Sequence, residues 1–253
     1  MLRPVILRDH ISLLRLEILK KTFFSEFGRL IAKHGFCRAE RLVPVGVSVL
    51  SYQAVYRFKH KDDSVPVVFQ IGPNIFTANA VPPYESWTSF SRYVGDGIAI
   101  LDDASRNKKI NVRLHTQLIR YIDMFSGNLL RGMSPDRFIR ETIGFRIQIP
   151  EALQKRVPRN RTAKGQLLQV SALLHDNIEL TITAAESMQH GNPVALLDWV
   201  AMVKSNGHFD DDVIMHTLDR AQNVIHEMFM EIVSPITDVM DPHMTDEERN
   251  HNE

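Results

Sequence analysis

His115, Tyr121 and Asp123 are the side chains best suited by type to move a proton, because imidazole titrates near neutrality and a carboxylate can orient it. With Arg113 and Gln117 they take the odd positions of an alternating stretch, Lys109–Asp123, whose even positions hold Ile110, Val112, Leu114, Leu118 and Ile122. Such alternation predicts a strand with one polar face. Spacing argues against a catalytic dyad, since His115 and Asp123 would stand about 26 Å apart on a strand rising ~3.3 Å per residue. The five odd positions are therefore read as a binding face, with no catalytic residue assigned. Arg120 falls at an even position, among the apolar residues, where a guanidinium needs a carboxylate. Asp198, also in an apolar run, is the available partner, and the pair is expected to be buried and structural.

The other candidates have simpler readings. Asp210-Asp211-Asp212 precedes a helical pattern, where carboxylates cap and complement the positive end, with Phe209 and Ile214 placed to staple the first turn. His216 and His226 stand ten residues apart, not at the one-turn spacing of a zinc helix, so no metal is implied. No Gly-x-Ser-x-Gly, Walker or Gly-x-Gly-x-x-Gly pattern occurs, and Gly95-Asp96-Gly97 lies inside a helical pattern, so no cofactor is implied either. Lys155, Arg156, Arg159, Arg161 and Lys164 crowd one loop and form a second candidate binding surface, for phosphate. No aromatic residue is interleaved there for base stacking.

Composition narrows the classes further. The 253 residues are 44% apolar and 24% charged, and 30 basic side chains balance 30 acidic ones, so no global field draws the chain to nucleic acid. Cys37, the one cysteine, excludes an internal disulfide framework and is expected as a small core residue in a reducing compartment. The start, Met1-Leu2-Arg3-Pro4-Val5, lacks the apolar core of a secretory leader, and no run approaches the roughly 20 apolar residues of a membrane span. A cytoplasmic location with no membrane association follows as the expectation.

The elements that must hold these residues run in one order twice. Ile11–Leu19 reads as a strand; Phe23, Phe24, Phe27, Leu30 and Ile31 as a helix ended by Gly35; Val47–Lys59, Val65–Ile71 and Ile75–Thr77 as three strands; and Tyr84, Trp87, Phe90, Tyr93 and Val94 as an aromatic helix face. Gly72-Pro73-Asn74 turns the last two strands into a hairpin. The second run has the Lys109–Asp123 strand, a short helix capped by Ser134-Pro135, strands Gln166–Leu174, Asn177–Ser187 and Val194–Lys204, and an amphipathic helix from Asp210 through Phe229. Two βαβββα units, 1–107 and 108–235, followed by a polar, partly disordered tail over 236–253, predict an α+β fold: a mainly antiparallel sheet with helices on one face. The order resembles that of duplicated saddle folds such as the TATA-binding protein, a likeness of fold only.

Phe69-Gln70-Ile71-Gly72-Pro73-Asn74, Tyr84-x-x-Trp87 and Arg120-Tyr121-Ile122-Asp123 carry a further resemblance. The chain resembles, over nearly its full length, a sporadically distributed, functionally uncharacterised family of bacterial proteins of about this size. Its members show a Gln-Ile-Gly-Pro-Asn turn, an aromatic helix and an Arg-Tyr-Ile-Asn strand. Asp123 stands where that family has Asn, and Trp199 follows Asp198 where a second acidic residue is usual, which argues against a strict catalytic pair. The resemblance implies the fold order, a cytoplasmic bacterial setting and an association with defence genes. The leading functional expectation is a non-enzymatic binding or regulatory protein with a protein partner, in a defence or toxin-control role. Two alternatives are a nucleic-acid-binding protein or enzyme using the 155–164 loop, and a small-ligand sensor. A homo-oligomer is compatible with each.

Overall fold

The computed structural model describes residues 7–16, 21–82, 84–146, 151, 155–156 and 167–240. The first unit holds β1 (Leu7–Leu16), α1 (Lys21–Lys33), β2 (Arg38–Arg41), β3 (Tyr56–Lys59), β4 (Val67–Gly72), β5 (Ile75–Ala80) and α2 (Trp87–Lys108). The second holds β6 (Leu114–Phe125), α3 (Pro135–Glu141), β7 (Leu167–Leu173), β8 (Ile178–Gln189), β9 (Asn192–Gly207) and α4 (Asp211–Val233), with a last turn, α5 (Thr237–Met240). The nine strands of the described residues form one antiparallel sheet in the order β2-β3-β4-β5-β1-β6-β9-β8-β7. Outward from the β1–β6 seam the two arms repeat one order: β5, β4, β3 on one side and β9, β8, β7 on the other. The first arm adds β2, whose residues Arg38-Ala39-Glu40-Arg41 carry no apolar alternation to predict it.

Local chemistry fixes the helix ends. Gly35, at φ 91°, closes α1 in a Schellman turn, with Phe36 N–H reaching Ile31 C=O at 3.3 Å and Gly35 N–H reaching Ala32 C=O at 3.1 Å. Ser86 Oγ accepts the Ser89 N–H at the start of α2, Ser134 Oγ that of Arg137 at α3, and Asp210 Oδ1 that of Val213 at α4. The Asp210-Asp211-Asp212 run is thus a helix start, as its position predicts.

The core lies between the helices and one sheet face. Phe27 meets Phe58 and Phe76, Phe125 meets Phe138, and Trp199 meets Phe229, all with centroids within 6.2 Å. Gly97 of α2 sits so close to the sheet that a Cβ there would stand 2.6 Å from Phe69 and 2.9 Å from Phe76. The Gly95-Asp96-Gly97 segment is therefore a packing feature: its second glycine lets the helix descend onto two stacked rings.

Three expectations are corrected. The run Val47–Lys59 is strand over its last four residues. Tyr52 at φ 63° interrupts it, and the β2–β3 loop, which turns at Gly46 with φ 88°, leaves Val45, Val47, Leu50 and Tyr52 exposed. Cys37 is exposed, lying between the Schellman turn and the edge strand β2. Glu17, Ile18 and Leu19, at the end of the first expected strand, and the residues after Met240 lie outside the described residues.

The third correction concerns β6. Leu114 pairs with Leu16 and Thr116 with Arg15, so His115 is an extra residue bulged out opposite β1, and the register to β9 slips at the same place. A one-residue slip exchanges the two faces of everything beyond it. Gln117, Tyr121 and Asp123 accordingly point toward the helices, at 4%, 1% and 0% exposure. Leu118, Arg120 and Ile122 lie on the open face. In β8, which has no such slip, Glu179, Thr181 and Thr183 are on the open face, as alternation predicts.

Candidate functional site

The five residues expected to form one polar face divide into two groups. Arg113 is exposed in the turn before β6 and His115 is exposed at the bulge. Gln117, Tyr121 and Asp123 are sealed beneath the helices. There Tyr121 Oη lies 3.4 Å from Tyr84 Oη, and Tyr121 is opposite Trp199 in β9 and His10 in β1. Among the described residues neither Gln117 Oε1 nor the Trp199 indole N–H has a hydrogen-bond partner. Side chains this deep cannot touch a substrate, so this polar seam cannot do chemistry on one.

The open face carries what alternation placed inside. Adjacent rungs run Leu118–Met202–Glu179, Arg120–Val200–Thr181 and Ile122–Asp198–Thr183, with Met124, Leu196 and Ala185 beyond. At the centre Arg120 grips Asp198 with two parallel hydrogen bonds, Nε to Oδ1 at 2.8 Å and Nη2 to Oδ2 at 2.7 Å. The expected pairing is present. Its expected burial is not: the two side chains keep 38% and 27% of their exposure, because the covering helices are on the other face. A half-exposed ion pair ringed by Leu118, Ile122, Val200 and Met202 is an arrangement that a docking surface tolerates and a core does not.

A concavity opens where the end of α2, the start of β6 and the β9–α4 turn meet. It encloses about 570 Å³ and is lined by Asp102, Ser105, Asn111, Arg113, Asn206 and His208, with Ile110, Val112 and Phe209 behind them. Asp102 is held by Arg106 across one helical turn. Burial first, and then the neighbouring Asp102, push the Asp211 carboxyl above the ordinary aspartate range. No local pattern of residues marks this cleft, since its lining comes from three separated segments.

The basic loop is described in part. Lys155 is paired with Glu151 at 2.6 Å and Arg156 is exposed beside it; Arg159, Arg161 and Lys164 lie outside the described residues. Among the described residues no group of three His, Cys, Asp or Glu side chains could hold a metal ion, and His208, His216 and His226 are each exposed and far apart along the chain. Among the described residues no helix is long and apolar enough to cross a membrane. Comparisons with known protein families, with characterised proteins and with solved structures return no match.

Proposed function

We propose that this chain is a non-catalytic binding protein that receives a protein partner on the open face of its sheet. The observation that carries this reading is the apolar centre of that face: Leu118, Ile122, Leu196, Val200 and Met202 around the Arg120–Asp198 pair, with no helix over them among the described residues. Antiparallel sheets turn their polar side to water, and a large apolar area left on that side marks an interaction surface. Nine strands spaced about 4.8 Å span roughly 38 Å, the scale of a protein footprint and not of a small-molecule pocket. Balanced charge across the chain supports a protein over a nucleic acid. The proposal includes the bacterial, cytoplasmic, defence-associated setting of the family that the chain resembles.

Capture from the native host with the wild-type chain and with Val200→Glu tests it. A partner retained by the first and lost by the second, with both folded by circular dichroism, supports the reading. A partner that survives Val200→Glu but is lost with Arg113→Glu would place binding at the cleft and contradict it. The cleft favours one second reading, a sensor of a small polar ligand, which a ligand-dependent rise in melting temperature abolished by Arg113→Glu would support.

A further inference from the structure

The two ends of the sheet are built differently. β2, at one edge, is four residues long and reads Arg38-Ala39-Glu40-Arg41, short and charged in the way that protects an edge from pairing. β7, at the other, runs seven residues, Leu167-Leu168-Gln169-Val170-Ser171-Ala172-Leu173, with no charge and no proline. Val170 is 54% and Leu173 72% exposed. Among the described residues nothing pairs with its outer side.

The register shows which backbone groups that side presents. Leu174 N–H bonds Ile178 C=O at 2.8 Å, and the β7–β8 pairing continues unbroken from Leu173↔Glu179 to Leu167↔Ala185. Bonded and non-bonded pairs alternate in an antiparallel ladder, so Ala172, Val170 and Leu168 turn their N–H and C=O toward β8. Leu167, Gln169, Ser171 and Leu173 therefore aim theirs outward, a ready ladder for another strand.

The strand is also nearly palindromic about Val170. Antiparallel to itself it sets Val170 opposite Val170, Gln169 opposite Ser171, Leu168 opposite Ala172 and Leu167 opposite Leu173. Every residue meets its own class, polar with polar and apolar with apolar, and no like charges meet. The outward groups of Gln169 and Ser171 would then form the bonded pairs that flank a non-bonded Val170 pair, which is the pattern a two-fold axis through Val170 requires.

We propose that a second copy of this chain adds to the outer edge of β7, antiparallel and centred on Val170, so that the two sheets continue as one. The contact is made edge to edge and leaves the open face free, so it stands independently of the function proposed above.

Two variants and one cross-link test it. Gln169→Pro removes an outward N–H without touching the β8 ladder, and Val170→Lys sets two ammonium groups face to face. The wild-type chain is expected to sediment as a dimer and each folded variant as a monomer. Facing residues of a non-bonded pair have Cα atoms about 4.5 Å apart, within the ~4.4–6.8 Å reach of a disulfide. Val170→Cys in a Cys37→Ser background should therefore cross-link to a covalent dimer on mild oxidation, and Ala172→Cys should not. A monomeric wild-type chain, a dimer that survives both variants, or cross-linking at 172 and not at 170 would overturn the proposal. The cross-link keeps the proposal falsifiable should Val170→Lys fail to fold.

Discussion

Arg120 and Asp198 form the central charged pair of the open face, and its exposure decides what breaking it costs. A sealed pair that loses one partner strands a buried charge, at about 3–5 kcal/mol. A half-exposed one does not. Arg120→Met is expected to lower stability by about 1 kcal/mol in urea titration, with Asp198 rehydrated. Glu26 behaves differently. It accepts from Arg29 at 2.6 Å and from Asn107 at 2.9 Å, with Lys108 at 3.5 Å, tying α1 to the end of α2. The Arg29 hydrogen bonds, opposed by burial and aided by Asn107, bring its carboxyl from 4.5 down to about 2. A depressed carboxyl stabilises the fold above its unfolded value and loses that contribution as pH falls toward the folded one. The stability difference between wild type and Glu26→Gln should thus be full above pH 4.5 and close as pH approaches 2, read from melting temperatures across that window. The Arg120–Asp198 partnership was legible from residue types, because an arginine in an apolar run must find a carboxylate. The contacts of Glu26 were not, since nothing local links it to a residue on another helix.

At the scale of elements, legibility followed periodicity. α1, α3 and α4 announce themselves by apolar spacing and by Gly35, Ser134-Pro135 and Asp210. The β4–β5 hairpin does so through Gly72-Pro73-Asn74, where a Cβ on Gly72 would collide with the Gln53 carbonyl oxygen. β6 was found but its faces were exchanged, because a bulge has no residue signature and a central strand apolar on both sides offers alternation no anchor. β2 was missed for the opposite reason: four residues with three charges carry no apolar pattern at all. The two glycines of α2 give a paired prediction. Gly95→Ala, whose nearest new neighbour is Met215 at 3.9 Å, should stabilise by up to about 1 kcal/mol as any helix glycine would. Gly97→Ala should instead destabilise by about 1–2 kcal/mol, as its methyl group meets Phe69 and Phe76. Chemical denaturation of the two variants side by side checks both signs.

The whole molecule is a two-arm sheet with its helices on one side, joined at the β1–β6 seam. That plan was readable, since a repeated order of elements needs only coarse periodicity. Which face works was not readable, because it depends on one extra residue at His115. The exchange changes the functional proposal as well as the geometry: Tyr121 and Asp123 become part of the interior, and Leu118, Ile122, Val200 and Met202 become the surface on which we propose a partner docks. A photo-reactive phenylalanine at Val200, on the open face, compared with one at His216, on the exposed side of α4, tests this most directly in the native host. Adducts to a single host protein from position 200, with none from position 216, are the predicted result. No adduct at 200, or the same adducts from both positions, would contradict an open face built for a partner.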